Sequence, residues 1–155
     1  MSKIDIDAIP EKQGSTYPAP YDAACKARRL RRLGEAAGLT QLGASHVLLP
    51  PGAWSSQRHW HAGEDELVVV LQGEVVLVTD DGEQLLRAGD CAAFKAGVRN
   101  GHCAQNRSDK DAVLLAVSNR SDEDWGEYSD IDLTFTRGGS SGKPRYLRKD
   151  GTPYK

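Results

Sequence analysis

From about residue 39 onward the chain breaks into short apolar runs, each closed by residues that favour turns. Residues 47–49 end at Pro50-Pro51-Gly52, and further runs follow at 67–71, 74–78, 84–86, 91–94 and 113–117. Between them lie Gln72-Gly73, Asp80-Asp81-Gly82, Ala88-Gly89-Asp90 and Asn106-Arg107-Ser108-Asp109. The runs are strand-length and several are rich in β-branched valine, which packs well on a pleated surface. Strands at this spacing predict an all-β antiparallel sandwich or barrel with little helix. Asp81-Gly82 suits a tight hairpin between the runs at 74–78 and 84–86.

The flanks read differently. Residues 1–20 are interrupted by Pro10, Pro18 and Pro20, and no hydrophobic period holds there. Residues 120–155 are polar, contain Gly138-Gly139-Ser140-Ser141-Gly142 and end in a basic stretch. The expected organisation is one domain over 1–155: a barrel core of about 40–120, with an N-terminal extension and a C-terminal tail packed on its surface. Residues 33–41 resemble the turn of a helix-turn-helix DNA reader, but that motif needs a second amphipathic helix next. Gly43, Val47 and Pro50-Pro51-Gly52 follow instead, and they favour a strand. The preceding run of Lys26, Arg28, Arg29, Arg31 and Arg32 reads as a solvated charged face.

Composition narrows the function classes. The chain has 155 residues, with 20 basic against 22 acidic and a net charge of −2, which argues against a nucleic-acid partner. No apolar run approaches the roughly 20 residues of a membrane-spanning helix. The start, Met1-Ser2-Lys3-Ile4-Asp5, is too polar for a signal peptide. Cys25, Cys91 and Cys103 are widely spaced and odd in number, which points to a reducing, cytoplasmic setting. Cys91 and Cys103 are expected to be small buried apolar groups.

The candidate chemistry lies at 52–73. If 57–61 is a strand, His59 and His61 share one face, about 7 Å apart along it, with Trp60 on the other. On an antiparallel hairpin Glu66 returns beside them, and a carboxylate there completes a set of ligands for a cation. Glu64 and Asp65 compete for that place, although a solvated turn also explains both. Gln57 falls on the histidine face and can bind a substrate or support a ligand, and Lys95 can meet an anionic substrate if it points inward. His46 and the tryptophans Trp54 and Trp60 read as structural. A His-x-His pair alone reads first as two surface histidines.

The full set of spacings resembles the two motifs of the cupin superfamily. His61 is followed by four residues and Glu66, then by six residues and Gly73. The second motif is matched by Gly89, five residues, Lys95-Ala96-Gly97, His102 and Asn106, with Lys95 in place of the usual proline and a gap before His102 two residues longer than usual. The run at 48–61, the Phe94-Lys95-Ala96-Gly97 element and Lys149-Asp150-Gly151-Thr152-Pro153-Tyr154 are similar to one group of bacterial single-domain cupins, to which a sugar phosphate isomerase activity is ascribed by fold analogy. The resemblance implies a cupin double-stranded β-helix, an antiparallel jelly-roll barrel. It implies that His59, His61, Glu66 and His102 ligate one divalent transition metal, with zinc, manganese, iron and nickel all compatible. It also implies a small-molecule substrate and a homodimer, with the N-terminal segment covering a sheet edge. Three functions fit: a metal-dependent isomerase or epimerase on a sugar or sugar phosphate, an Fe(II) dioxygenase, and a non-catalytic binding module.

Overall fold

The computed structural model describes residues 3–137 and 144–154, so the glycine-serine stretch at 138–142 lies outside the described residues. The strands are β1 (Lys12–Gln13), β2 (Arg29–Arg32), β3 (Leu42–Leu49), β4 (His59–His61), β5 (Glu66–Gln72), β6 (Glu74–Thr79), β7 (Gly82–Arg87), β8 (Cys91–Phe94), β9 (Cys103–Gln105), β10 (Ala112–Asn119), β11 (Trp125–Tyr128), β12 (Thr134–Arg137) and β13 (Pro144–Leu147). Helix among the described residues is confined to a 3-10 turn at Ala23–Cys25 and one α-turn, α1, at Leu33–Ala36. The strands form a six-stranded sheet in the order β1-β2-β3-β10-β5-β8, a four-stranded sheet β13-β12-β11-β4 and a three-stranded sheet β7-β6-β9. Every ladder is antiparallel, as the alternation of short runs and turns predicts.

Alternation decides which side chains face the interior. On β10, Ala112 and Leu114 are buried, and on β5 Val70 is buried between the exposed Leu67 and Leu71. These residues join Val47, Leu49, Val75 and Ala104 in the main core. Each fully buried aliphatic side chain stabilises the fold by about 1.5–3 kcal/mol. Gly73 closes the β5–β6 turn at φ +72°, and a Cβ there would stand 2.6 Å from the Asp111 carbonyl oxygen. Only glycine meets both conditions. The β6–β7 hairpin turns at Asp80-Asp81, pairing Thr79 with Gly82.

The flanks differ from the expectation. Residues 120–155 do not simply coat the barrel: β11, β12 and β13 form a sheet with the histidine strand β4. A second, aromatic core backs that sheet, with Tyr128, Leu133 and Phe135 buried against Tyr17, Tyr21 and Tyr146. Alternation is hard to read there because each strand has only four residues. The basic run is not merely solvated either. It is β2, whose Arg31 pairs with Asp7 and Glu11 of the N-terminal extension. The Arg28 guanidinium donates to the carbonyls of Gly14 and Ser55. After α1 the chain enters β3 directly, so the resemblance to a DNA reader ends there.

Candidate metal centre

The two cupin-like motifs meet across the barrel. His59 and His102 face each other in an isolated antiparallel bridge, with backbone bonds of 3.2 and 2.9 Å. β4 is held on its other side by β11, where Gly126 lies opposite His61. A Cβ on Gly126 would stand 1.9 Å from the Trp60 carbonyl oxygen and 2.7 Å from the Phe135 ring, so this close approach needs glycine.

Glu66 reaches the histidines by a different route from the hairpin that the spacing suggests. β4 pairs with β11, whereas β5 pairs with β10 and β8 in the other sheet. The corner at 62–65 turns the chain between sheets because side chains capture its backbone. Gly63 N–H donates to Asp124 at 2.9 Å, Asp65 N–H donates to the Asn119 side chain at 2.7 Å, and Asp65 itself accepts from Ala96 N–H at 2.7 Å. Glu66 therefore faces β4 across the interior. Its Oε2 lies 2.7 Å from His102 Nε2 and 3.6 Å from His61 Nε2.

The ring partners define what this cluster can hold. His59 Nδ1 lies 2.9 Å from the Gln57 carbonyl oxygen, and His61 Nδ1 lies 2.6 Å from the Asp124 carboxylate. Both partners only accept, so each Nδ1 must carry the hydrogen. In the neutral rings each Nε2 then presents a lone pair, yet the two Nε2 atoms are 3.0 Å apart. Two lone pairs that close need a positive group between them, either a proton or a metal ion. Neighbouring ligands at about 2.1 Å from one octahedral ion are themselves separated by about 3 Å. The donor set of imidazoles and one carboxylate fits a divalent transition metal. His59, His61 and Glu66 offer ligand atoms within 4.8 Å of one another, and His102 adjoins them through Glu66. His102 Nδ1 is buried without a partner, while Nε2 faces the accepting Glu66 carboxylate at 2.7 Å, so in the metal-free ring the hydrogen sits on Nε2. Phe94 stacks on the ring at 3.5 Å and holds its plane.

The electrostatics follow from crowding. Burial, together with neighbouring His102 and His61, lowers the His59 pKa to about 3. Burial also opposes the charge on Glu66, but the hydrogen bond with His102 and the nearby His61 and His59 outweigh it and hold the carboxyl at about 2. His61 moves the other way. Burial disfavours its proton, but the bond to Asp124 and the charge of Glu66 prevail and raise its pKa.

A cavity of about 440 Å³ opens beside the cluster, a size suited to a small molecule. His61, Glu66 and His102 line it, and Lys95 stands at its rim. Gln57 is not among the residues that line it, and its amide donates to the Tyr21 carbonyl at 2.8 Å. Glu64 is not in a solvated turn. Its side chain is 2% exposed and ion-paired with Arg137, with Ser121 N–H donating to it. Cys91 is exposed rather than buried, because it faces outward on the edge strand β8, whereas Cys103 is buried. Asn106 is buried and organises the 106–110 turn, donating to the carbonyls of Leu49 and Lys110. No sequence motif marks Asp124. It lies 63 positions from His61, and neither spacing nor alternation links the two.

An antiparallel β-barrel with a histidine-carboxylate cluster open to a cavity is a small-molecule or metal-binding architecture. Residues 45–118 match the family model described as the cupin domain. Among solved structures, the chain is similar to a cupin-superfamily sugar phosphate isomerase from Silicibacter pomeroyi. The two are 45% identical with a TM-score of 0.93, over 99% of this chain and 97% of that one. It is 25% identical to an Acidithiobacillus ferrooxidans protein provisionally described as a sugar phosphate isomerase, with a TM-score of 0.73 over 83% and 81% of the two chains. A Thermotoga maritima protein described as a predicted oxalate decarboxylase shares the fold, at 21% identity and a TM-score of 0.63 over 77% of this chain and all (100%) of that one. No curated protein matches. The chain belongs to the cupin superfamily.

Proposed function

We propose that this protein is a metal-dependent enzyme of the isomerase or epimerase type, acting on a small sugar or sugar phosphate. His59, His61, Glu66 and His102 hold its single divalent ion. The observation that carries the reading is the pair of opposed Nε2 lone pairs, 3.0 Å apart at the cavity wall. The 45% identity to the Silicibacter pomeroyi sugar phosphate isomerase, over nearly the whole chain, supports the substrate class.

A metal bound there supplies a Lewis acid that polarises a substrate carbonyl. The remaining work falls to the chain. The Lys95 ammonium at the rim offers a cation to an anionic group of the substrate. Thr79, Gln84 and Asn100 line the same cavity and offer hydroxyl and amide partners to substrate hydroxyls. Asn100 is itself held, its amide donating to Asp81 at 2.6 Å. Phe94 and Leu86 supply apolar wall that excludes water.

The protein acts as a homodimer in a reducing, cytoplasmic setting. Its three cysteines are all free. No helix among the described residues is long and apolar enough to cross a membrane. The outward face of the six-stranded sheet supports pairing with a second copy. Leu67 lies opposite Val117, and Val69 opposite Leu115. Leu67 and Leu71 are 40% and 49% exposed. This apolar patch, which gives way to Arg29 and Arg31 on the β2 side of the same face, is best covered by its own two-fold mate.

The test is proton exchange. Aldose and ketose phosphates incubated with the metal-loaded protein in deuterated water should gain deuterium beside the carbonyl. Absence of exchange across such substrates, with metal bound, would overturn the isomerase reading. Iron in protein purified without added metal would redirect it to oxygenase chemistry.

A further inference from the structure

Asp124 immediately precedes β11, outside the 45–118 match to the cupin domain. Its side chain is 0% exposed. Its Oδ1 accepts Gly63 N–H at 2.9 Å, and its Oδ2 accepts from His61 Nδ1 at 2.6 Å. Its backbone carbonyl accepts Arg137 N–H at 2.7 Å, and the Arg137 guanidinium pairs with Glu64, so β12 holds the Asp124 main chain and the Glu64 carboxylate. Burial alone would favour the acid form of Asp124. The bonds from His61 and Gly63 outweigh that and keep its pKa below the ordinary value.

We propose that Asp124 is the positioning residue of the metal centre: oriented by Gly63 N–H, its carboxylate holds His61 with hydrogen on Nδ1, so that the Nε2 lone pair faces the ion. This rests on the metal reading given above. It makes the C-terminal sheet part of the site, since the residue that fixes a ligand in β4 stands at the entry to the strand paired with it. Carboxylates that orient ligating histidines in this way govern metal affinity by about 10- to 100-fold.

The geometry gives the test a particular signature. Gly63 N–H can only donate, so in Asp124→Asn the side-chain oxygen stays on Gly63 and the amide NH₂ turns to His61 Nδ1. That nitrogen must then accept, which moves the ring hydrogen to Nε2. There it can bond to His59 Nε2, 3.0 Å away. The metal-free asparagine variant is thus fully hydrogen-bonded and should fold, but its His61 is in the wrong tautomer to ligate. Asp124→Ala leaves the ring free to take either tautomer. Zinc affinity should therefore fall in the order wild type, Asp124→Ala, Asp124→Asn, although asparagine has the more conservative shape.

Two measurements test this. Nitrogen-proton correlation spectra of the metal-free protein, at a pH well above the imidazole range, should show His61 as Nδ1–H in the wild type and Nε2–H in Asp124→Asn. Zinc titration of the same proteins should show Asp124→Asn weaker by about tenfold or more, and weaker than Asp124→Ala. An Nε2–H tautomer in the wild type overturns the proposal without any variant. So does an alanine variant that binds zinc more weakly than the asparagine one, because that order marks a packing role. Wild-type protein that shows Nδ1–H yet takes up no zinc overturns the metal reading and leaves the tautomer lock standing.

Discussion

Replacing Arg137 with methionine should cost the fold about 3 kcal/mol at neutral pH. The Glu64 side chain is 2% exposed and Arg137 is its cationic partner, itself 23% exposed. Removing one member of a fully buried pair costs about 3–5 kcal/mol, because a charge is left without compensation. The partial exposure of Arg137 places this pair at the lower end. For a domain of this size that loss corresponds to a fall in Tm of about 6–12 °C. The sign of the pH dependence follows from Glu64. Burial raises its pKa, and Arg137 is the main influence pulling it down. Without Arg137 the folded-state pKa rises further above the unfolded value of about 4.3. A carboxyl with a raised folded pKa penalises the fold when ionised, and the penalty disappears as pH falls through that pKa. Urea unfolding of wild type and Arg137→Met at about pH 8 and about pH 5 should therefore give a difference that shrinks on acidification. The double variant Glu64→Gln, Arg137→Met should recover at least half of the loss at the higher pH, because no charge is left buried. A pH-independent difference, or no recovery in the double variant, would refute the reasoning.

Other outcomes follow from the same geometry. Under native conditions one thiol, the exposed Cys91, should react rapidly with a maleimide. Cys25 should stay protected, since it is 0% exposed and burial pushes its pKa up to about 11, and buried Cys103 should stay protected with it. Rapid labelling of all three would contradict the packing. Zinc affinity, read by chelator competition, should fall with pH and begin to fall above the ordinary imidazole range of about 6.5. Asp124 and Glu66 overcome burial to raise the His61 pKa, and that proton must leave before Nε2 can ligate. Constant affinity from about pH 8.5 to about pH 6 would count against His61 as a ligand. Sedimentation should give a dimer for the wild type and a monomer for Leu67→Glu, which places a charge on the outward sheet face. A wild-type monomer at all concentrations would remove the dimer.

The barrel was legible because its core strands are long enough for alternation and turns to show. The runs at 67–71, 91–94 and 113–117 fall within β5, β8 and β10. The metal candidates were legible because His59, His61 and Glu66 lie close together in sequence and match a spaced motif. What escaped depends on pairings distant in sequence. β11, β12 and β13 look polar because β11 and β12 each bury a single side chain, Tyr128 and Phe135, and β13 buries none fully, yet β11 holds β4 in place. Glu64 looked like a turn residue because its partner Arg137 is 73 positions away. Gln57 lies on the expected side of alternation, but the regular strand starts only at His59, so its amide turns to Tyr21 instead.

Metal stoichiometry tests the central claim most directly. Protein stripped with chelator, equilibrated with zinc and freed of excess metal should hold about one ion per chain by elemental analysis, and His61→Ala should hold almost none. A wild-type chain that retains no ion, or a His61→Ala chain that retains as much as the wild type, would contradict the account.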